Sequence, residues 1–387
     1  MSSSPQDRTG IYYWKCDRAA AFHGTEAVRP DSPLLEPQLR QALERRFPGA
    51  PLALRPAESQ GNHRTFRLTV QRPFSAQRPT HNAQGEGASA FGLPDEMFVR
   101  TEDGPERDNY FDVENLVSAE LRARGLPVPR VLAGDCSRAD TPFAWQVLEF
   151  IPYPDLNQHF KQGTLALEPL AESIGEAVAR WQDLRPSGFG PFSARAAATG
   201  ALRGLHPDYA SYYFLNLQKH VSFLHSHAFF SREQADRVLK AVLQHDHLLC
   251  IKQGCLVHKD LALWNILGAP DRIAAFIDWD DAVSGDPMDD LSLLACFHGA
   301  PVIERALAGY ARVRPLPENT LARFWLCLLR NMLVKAVIRV GAGYFTRSDS
   351  FFLIGAGRSG ADLEAFTHAR IETALRGLNE NADLSIL

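Results

Sequence analysis

The sequence predicts an α+β protein of two lobes, a small first lobe rich in β-strands and a larger second lobe rich in α-helices. Up to Phe150, short apolar runs alternate with turn residues, which is the pattern of strands. After Pro154, apolar residues recur at helical spacing over long segments. A chain of 387 residues is also long enough to form two hydrophobic cores.

The chain divides into an N-terminal extension at residues 1–33, a first lobe at 34–150 and a second lobe at 151–387. In the first lobe, the pattern predicts helices at 35–47 and 111–124 and strands at 52–57, 65–70, 96–101 and 143–151. In the second lobe, it predicts a strand at 255–257 and helices at 167–184, 209–227, 232–249, 289–297, 317–340 and 360–378.

Two stretches near the N-terminus follow neither pattern. The extension contains Tyr12, Tyr13 and Trp14, too many aromatic residues for a disordered tail. We expect it to pack on the first lobe or on the partner subunit of a homodimer. Residues 71–95 are rich in Pro, Gly, Ala, Ser and Gln, which predicts a flexible insertion between two strands.

The composition argues against several classes of protein. A net charge of −4 does not suit a nucleic-acid binder, which needs a basic face. The chain does not open with a basic segment and an apolar core, so we expect no secretory signal. The apolar stretch 324–340 contains Arg330, Lys335 and Arg339, which predicts a buried helix and not a membrane span. Six scattered cysteines without a C-x-x-C pair predict reduced thiols in a cytoplasmic protein.

The segment 255–281, CLVHKDLALWNILGAPDRIAAFIDWDD, carries the polar residues that indicate chemistry. A short apolar strand leads into a loop with Asp260 and Asn265, and two further apolar runs follow around a turn. These two runs predict a short antiparallel hairpin. In a hairpin symmetric about residues 271–272, Asn265 on one rim faces Asp278 on the other.

Asp260, Asn265 and Asp278 are the residue types that phosphoryl transfer from a magnesium nucleotide requires. Mg²⁺ takes oxygen ligands, usually one or two carboxylates with water and phosphate oxygens in its other positions. Asn265 and Asp278 supply such a pair, and Asp260 remains free to meet an acceptor hydroxyl. An isolated group of this kind is more often a turn with a helix cap. The spacing and the hairpin together favour an active site.

The same segment resembles the catalytic loop of the protein-kinase-like fold. The run HKDLALWN fits the pattern H-x-D-x-x-x-x-N, and Ile277-Asp278-Trp279 resembles the metal-binding Asp that follows it. The form IDW, with GDPMDDL after it, is more similar to aminoglycoside phosphotransferases and choline kinases than to protein kinases, which carry D-F-G and A-P-E. The resemblance covers about residues 50–300 and implies a bilobal protein-kinase-like fold.

The resemblance implies a small-molecule kinase that transfers the γ-phosphate of ATP, or of GTP, to a hydroxyl. The acceptor would be a compound such as an aminoglycoside, an amino alcohol or a sugar, and Mg²⁺ would be the cofactor. Asp260 would hold and deprotonate the acceptor hydroxyl, while Asn265 and Asp278 would hold the metal. His258 would orient the loop, and Asp290 would brace it.

The first lobe would bind the nucleotide. Asn62 lies in a small-residue turn between two predicted strands, and that turn would fold over the phosphates. Arg100 stands where the family normally has a phosphate-binding lysine, and it keeps the positive charge. As an alternative, Arg100 forms a surface ion pair at a strand edge. Glu114 would align Arg100, with Glu120 as the competing candidate.

The hinge between the lobes would bind adenine through its backbone. The resemblance assigns the carbonyl of Glu149 as the hydrogen-bond acceptor and the amide of Ile151 as the donor. The acceptor compound is not indicated by the sequence. Asp280 and Asp281 either face a cationic acceptor or are solvated loop charges.

Three further questions remain open from the sequence. Lys259 lies either near the transferred phosphate or in solvent. A catalytically silent nucleotide-binding module is supported by Arg100 and the atypical phosphate loop. A protein kinase needs an activation segment, for which Asp278 and Asp286 are too close together.

Overall fold

The first lobe is an antiparallel sheet, and the second lobe is mainly helical, as predicted. The computed structural model describes residues 7–18, 33–57, 63–71, 92–104, 106–108, 110–347 and 359–387. Five strands of the described first lobe pair in the order β1-β2-β3-β5-β4. They are β1 (Leu52–Pro56), β2 (Arg64–Val70), β3 (Glu96–Glu102), β4 (Val131–Asp135) and β5 (Ala144–Glu149).

The helices of this half of the chain connect the sheet to its surroundings. They are α1 (Trp14–Asp17) in the extension, α2 (Leu35–Arg46) and α3 (Phe111–Ala123). Leu39 and Leu43 of α2 are buried in the same core as Val99 of β3. Val117 of α3 belongs instead to the core of the second lobe. Helix α3 therefore joins the two lobes, which fixes the position of residues on its inner face.

The second lobe is built around one long buried helix, α12. Its helices are α4 (Leu156–Lys161), α5 (Leu167–Trp181), α6 (Ala194–Ala197), α7 (Tyr209–Tyr213), α8 (Leu217–Ser226), α9 (Arg232–Gln244), α10 (Asp289–Leu294), α11 (Ala300–Val313), α12 (Thr320–Gly341) and α13 (Gly360–Glu380). Every residue of α12 from 324 to 337 is buried. None of the described helices is long and apolar enough to cross a membrane.

Helices α5 and α11 pack backbone to backbone because two glycines allow it. A Cβ at Gly175 would collide with the backbone of Ala306, and a Cβ at Gly309 would collide with the backbone of Glu172. The elements predicted from the sequence did not include α11. Its buried face carries Ile303, Leu307 and Tyr310 at helical spacing, so this helix could have been predicted.

Short strands of the second lobe form and flank the segment that contains Asp260, Asn265 and Asp278. They are β6 (Phe189–Phe192), β7 (Gly204–His206), β8 (Cys255–Val257), β9 (Ile266–Ala269), β10 (Arg272–Phe276) and β11 (Val283–Gly285). Strands β7-β6-β11-β8 form one sheet in that order, and β9 and β10 form the predicted hairpin. The loop that follows β8 therefore begins at a strand that pairs with β11, and it ends at the hairpin of β9 and β10.

The register of the hairpin differs from the predicted one. The turn is centred on residues 270–271, one position earlier than expected, and β10 contains an irregularity. Such a bulge adds one residue to one strand and shifts the pairing beyond it. The Ile277 N–H consequently donates to the Asn265 carbonyl over 3.0 Å. Asp278 lies one residue past the position that directly faces Asn265.

Most of the other predicted elements are confirmed within a few residues. The predicted helix at 209–227 is wrong as a single element. Asn216 adopts a left-handed conformation with φ of 57°, which ends α7 and starts α8 in a new direction. The predicted helix at 232–249 is also shorter, since α9 ends at Gln244 and a 3-10 turn follows.

The extension packs in a place that the sequence did not indicate. We expected it on the first lobe or on a partner subunit. The described part, residues 7–18, instead lies mainly against the second lobe of the same chain, and Arg8 also contacts Asp108 and Tyr110 between β3 and α3. We refer to residues 7–18 as the docking segment.

Candidate active site

The loop that follows β8, residues 258–265, is held by one carboxylate. Asp290, in the first turn of α10, accepts hydrogen bonds from the backbone N–H groups of His258 (2.9 Å) and Lys259 (3.1 Å). The indole N–H of Trp181 donates to the same carboxylate over 3.1 Å. Burial raises the pKa of Asp290 to about 6. The predicted bracing role of Asp290 agrees with these contacts, which fix the backbone of the loop.

His258 links the loop to the end of the hairpin. Its Nε2 lies 2.9 Å from the Ile277 carbonyl, and its Nδ1 lies 3.3 Å from the backbone nitrogen of Asp260. A carbonyl can only accept and a backbone N–H can only donate, so both contacts are satisfied by a neutral ring protonated on Nε2. The geometry fits the predicted orienting role of His258.

Asp260 is the most heavily engaged carboxylate of the cleft. The hydroxyl of Tyr13 and the ammonium of Lys335 both donate to Oδ1 over 2.9 Å. Lys15 lies 3.5 Å from Oδ2, and the side-chain amide of Asn265 donates to Oδ2 over 3.2 Å. The side chain of Asp260 is 3 % exposed. Both oxygens of this carboxylate therefore point into a polar pocket closed to bulk solvent.

The charge of Asp260 is maintained by its neighbours. Burial raises the pKa of this carboxyl, but the ammonium groups of Lys15 and Lys335 lower it, as does the hydrogen bond from Tyr13. The net result is a pKa well below the ordinary value. Asp260 is accordingly ionised at neutral pH and can accept a hydrogen bond from a hydroxyl.

Asn265 and Asp278 present the oxygens that a hard cation requires. The amide nitrogen of Asn265 donates to the Asp260 backbone carbonyl over 2.8 Å, which leaves its carbonyl oxygen as the free end of the amide. Asp278 has a φ of 68°, and its side chain is 37 % exposed. One amide oxygen and one accessible carboxylate suit an ion that completes its coordination with phosphate and water.

Arg100 connects Asp278 to helix α3. Its Nη1 lies 2.7 and 2.8 Å from the two carboxylate oxygens of Glu114, and its Nη2 lies 2.9 Å from Asp278 Oδ1. The amide of Gln146 donates to Glu114 over 2.9 Å. Glu120 instead forms an exposed pair with Arg124, on a different face of α3. The structure thus selects Glu114 over Glu120, and the surface-edge alternative for Arg100 is wrong because the side chain is buried.

The adenine and phosphate contacts of the first lobe stay predictions. Asn62 lies outside the described residues. At the hinge, the backbone N–H of Glu149 donates to the backbone carbonyl of Arg130. The backbone carbonyl of Ile151 accepts a hydrogen bond from the backbone N–H of Tyr153. The resemblance assigns adenine to the other two groups, the carbonyl of Glu149 and the amide of Ile151. These two hydrogen bonds do not use them, so the geometry is compatible with that assignment.

Lys259 occupies neither of the positions considered from the sequence. It is 1 % exposed, and its ammonium lies 2.8 Å from Asp289, 3.1 Å from Asn331 and 3.2 Å from the Tyr12 hydroxyl. A lysine with so little exposure and a carboxylate partner is an internal structural ion pair. Lys259 joins the loop, α10, α12 and the docking segment behind the active site.

Asp280 and Asp281 are not solvated loop charges. Each is 9 % exposed. Asp280 lies 3.3 Å from His63, and Asp281 lies 3.7 Å from Arg8. Burial and the charge of Asp280 raise the pKa of Asp281 to about 7. Both carboxylates already have basic partners, so neither presents an unpaired anion to a cationic acceptor.

The docking segment is anchored at both ends. At its start, Arg8 donates to Asp108 over 2.7 Å and stacks on the ring of Tyr110. At its end, Asp17 lies 2.9 Å from Nε2 of His220 on α8. These contacts lie on either side of Tyr13 and hold its hydroxyl against the candidate base.

Sequence reasoning missed three residues of the site: Tyr13, Lys15 and Lys335. Their distance from the catalytic motif in the chain explains the omission, because short-range patterns carry no information about such contacts. Lys335 offered one usable signal. A lysine within a long apolar helix is rarely left without a partner, and the partner it required was Asp260.

Comparison with known proteins identifies the family of this chain. Residues 84–321 match the model of the phosphotransferase enzyme family. Viomycin phosphotransferase of Streptomyces vinaceus is 33% identical over 81 residues, which cover 20% of this chain and 27% of that protein. The aligned part is thus well under two thirds of the relative's length.

Solved structures share the fold. A thermostable mutant of the aminoglycoside phosphotransferase APH(4)-Ia, in a ternary complex with AMP-PNP and hygromycin B, gives a TM-score of 0.56 at 18% identity, over 89% of this chain and 98% of that chain. Macrolide 2'-phosphotransferase from Brachybacterium faecium gives 0.52 at 18% identity, again over 89% and 98%. The bilobal kinase-like fold predicted from the sequence is therefore confirmed. Because the family model covers more than half of its 387 residues, the chain belongs to the phosphotransferase enzyme family.

Proposed function

We propose that the protein is a small-molecule kinase that transfers the γ-phosphate of ATP, or of GTP, to a hydroxyl of a small acceptor. One observation carries the proposal: the ionised Asp260 carboxylate lies within 3.2 Å of the Asn265 side chain, whose oxygen is available to a cation. An acceptor base and a candidate metal ligand are thus neighbours, as in-line transfer requires.

On the acceptor side, Asp260 is the residue that acts on the hydroxyl. Its carboxylate orients the hydroxyl by accepting a hydrogen bond and takes up the proton as the oxygen attacks phosphorus. Lys335 donates to the same carboxylate and keeps it ionised before the reaction. His258 and Asp290 hold the backbone on either side and need not move during transfer.

On the nucleotide side, Asn265 and Asp278 would hold Mg²⁺, which would neutralise charge on the phosphates when bound. Arg100 lies 2.9 Å from Asp278 and is held by Glu114, which supports a role in which it would contact phosphate oxygens at the same edge of the cleft. A guanidinium can grip two oxygens at once, which makes it an effective substitute for the family's lysine.

The docking segment restricts the acceptor side of this site. Tyr13 and Lys15 both contact Asp260 and occupy space next to the reactive carboxylate. An acceptor therefore either displaces these side chains or binds alongside them. A large peptide substrate suits this enclosed pocket poorly, which favours a small acceptor over a protein.

The test is transfer of labelled phosphate from ATP or GTP to a panel of hydroxyl compounds in the presence of magnesium. We expect magnesium-dependent transfer to at least one small acceptor. Asp260→Asn serves as the inactive control, and Asp236→Asn, at an exposed helix position, serves as the matched neutral control. Nucleotide binding without transfer to any acceptor would support the silent-module alternative, and failure to bind either nucleotide would contradict both hypotheses.

A further inference from the structure

Helix α12 presents a polar stripe along the acceptor side of the cleft. Asn331, Lys335 and Arg339 are spaced four residues apart, so they lie on one face of the helix. Asn331 contacts Asp289 and Lys335 contacts Asp260. Arg339 continues the stripe about 6 Å further along the helix axis. It is the next cation beyond the catalytic carboxylate.

Arg339 and Arg370 are buried cations without an anionic partner. Each residue is 7 % exposed. Arg339 makes one hydrogen bond, from Nη1 to the Thr367 hydroxyl over 2.8 Å. Arg370 of α13 contacts the ring of Phe366, and its buried Nη1 has no hydrogen-bond partner. Among the described residues, no carboxylate pairs with either guanidinium.

Arg339 and Arg370 converge near the segment that follows α10. Burial raises the pKa of the Cys296 thiol to about 11, and the charges of Lys335, Arg339 and Arg370 all act against that rise. The charges of all three cations therefore reach Cys296, and Arg339 also contacts Thr367, which lies three residues before Arg370 on α13. His298, two residues further, is 5 % exposed, and its Nε2 is also a buried atom with no partner.

This arrangement is costly unless an anion completes it. A buried charge is normally paired, because removing it from water costs several kcal/mol. Two other buried arginines pair with a carboxylate, Arg8 with Asp108 and Arg100 with Glu114, and a third, Arg330, instead donates to two backbone carbonyls and contacts the His220 ring nitrogen. Arg339 and Arg370 have neither a carboxylate nor such a set of acceptors among the described residues, so a bound anion would complete them.

We propose that Lys335, Arg339 and Arg370 form a subsite for an anionic group, a carboxylate or a phosphate, on the acceptor whose hydroxyl meets Asp260. The inference rests on the proposed kinase function and narrows its acceptor. The acceptor is a hydroxy acid or a phosphate ester, with its anion about one helical turn, or 6 Å, beyond Lys335. A polycationic acceptor would be repelled from this wall of the cleft.

The first experiment measures anion binding without catalysis. Inorganic phosphate is titrated calorimetrically into the full chain saturated with magnesium AMP-PNP, so that the nucleotide site is filled. We expect Arg339→Gln and Arg370→Gln to weaken phosphate binding at least about tenfold, because each removes a charge-assisted contact. Arg232→Gln, which alters only an exposed ion pair with Asp236, should bind like the parent.

Charge-preserving variants separate a lost subsite from a damaged fold. Arg339→Lys and Arg370→Lys should keep most of the phosphate affinity that the Gln variants lose. Removal of an unpaired buried charge should also leave the unfolding midpoint unchanged or higher in the absence of phosphate. Equal phosphate affinity in the parent and both Gln variants, or no binding by the parent, would overturn the subsite.

The second experiment distinguishes the two kinds of anion. Phosphate transfer is compared within the pairs glycerate and glycerol, and ribose 5-phosphate and ribose. The parent should favour the anionic member of at least one pair by about tenfold or more in kcat/KM, and Arg339→Gln should lose that preference. Preference for glycerate indicates a carboxylate, and preference for ribose 5-phosphate indicates a phosphate. Transfer without any preference contradicts the subsite alone, whereas failure to bind AMP-PNP contradicts the kinase function.

Discussion

The hydroxyl of Tyr13 donates a hydrogen bond to Oδ1 of Asp260 over 2.9 Å. This is the contact that an acceptor hydroxyl would make with a catalytic base before transfer. The two residues are 247 positions apart in the chain, so the contact depends entirely on the folded structure. The candidate base already holds a hydroxyl of its own chain, with which any acceptor must compete.

Tyr13→Phe tests this competition. A hydrogen bond to a charged group contributes roughly 1.5–3 kcal/mol, so its removal should lower the acceptor KM by about tenfold with kcat little changed. Steady-state kinetics with the acceptor found by screening provide the measurement. Tyr310→Phe is the control, because it removes a buried hydroxyl that donates to Gln182 instead. A higher KM for the acceptor in Tyr13→Phe would show that Tyr13 helps to bind it.

Asp260→Asn separates catalysis from nucleotide binding. The amide keeps the size of the side chain but cannot take up the hydroxyl proton, so transfer should fall by roughly 10² to 10⁴. The dissociation constant for nucleotide should stay almost constant, because Asp260 acts on the acceptor. Turnover and nucleotide titration of the same variant test both statements. Near-normal turnover would remove Asp260 from the catalytic role.

Arg100→Lys should impair nucleotide binding, even though lysine keeps the positive charge. Lysine is the family norm at this position. In the structure, separate nitrogens of Arg100 contact Glu114 and Asp278, and one ammonium cannot reproduce this geometry. We expect the nucleotide KM to rise about tenfold in Arg100→Lys and further in Arg100→Ala. Wild-type kinetics for the lysine variant would show that charge alone suffices.

Asp278→Ala should abolish magnesium-dependent nucleotide binding. The variant removes the charged member of the candidate ligand pair and leaves only the Asn265 amide. Asn265→Ala should weaken binding less, because the carboxylate remains. Calorimetric titration of ATP with and without magnesium provides the comparison. Magnesium-dependent binding by Asp278→Ala at parental affinity would place the metal elsewhere.

Asp281→Asn should change how stability depends on pH. The pKa of Asp281 is about 7 in the folded chain, against an ordinary value of 3.8. Between these two values the folded state keeps a proton that the unfolded state has released, so this carboxyl lowers the free energy of unfolding as the pH rises. The variant lacks this effect. Its gain in unfolding midpoint over the parent should be larger at pH 8 than at pH 5, with Asp236→Asn as the exposed control. A gain that is larger at pH 5 would contradict the assignment.

The sequence was informative where the site is local. Asp260 and Asn265 lie on one loop, and Asp278 follows a short hairpin, so spacing alone predicted their proximity. The exact pairing was not predictable, because the bulge in β10 depends on packing that an alternating pattern does not encode.

The rest of the site is built from distant segments. Lys335 is 75 residues from Asp260, and Tyr13 is on the other side of the whole first lobe. Neither residue type is diagnostic of catalysis, and both occur in segments that a motif search passes over. Their contribution depends on where α12 and the docking segment pack, which is determined by the tertiary core.

The docking segment also constrains the order of events during synthesis. The Cys16 thiol donates a hydrogen bond to the backbone carbonyl of Val334, 318 residues away in the chain. The Asp17 carboxylate forms a hydrogen bond with the ring of His220, 203 residues away. A ribosome releases the docking segment long before it releases these partners, and loop closure over such distances is slow. The nascent chain must therefore carry Tyr12, Tyr13 and Trp14 unburied while the second lobe is made. Maturation of the active site waits for the return of a segment that was translated early.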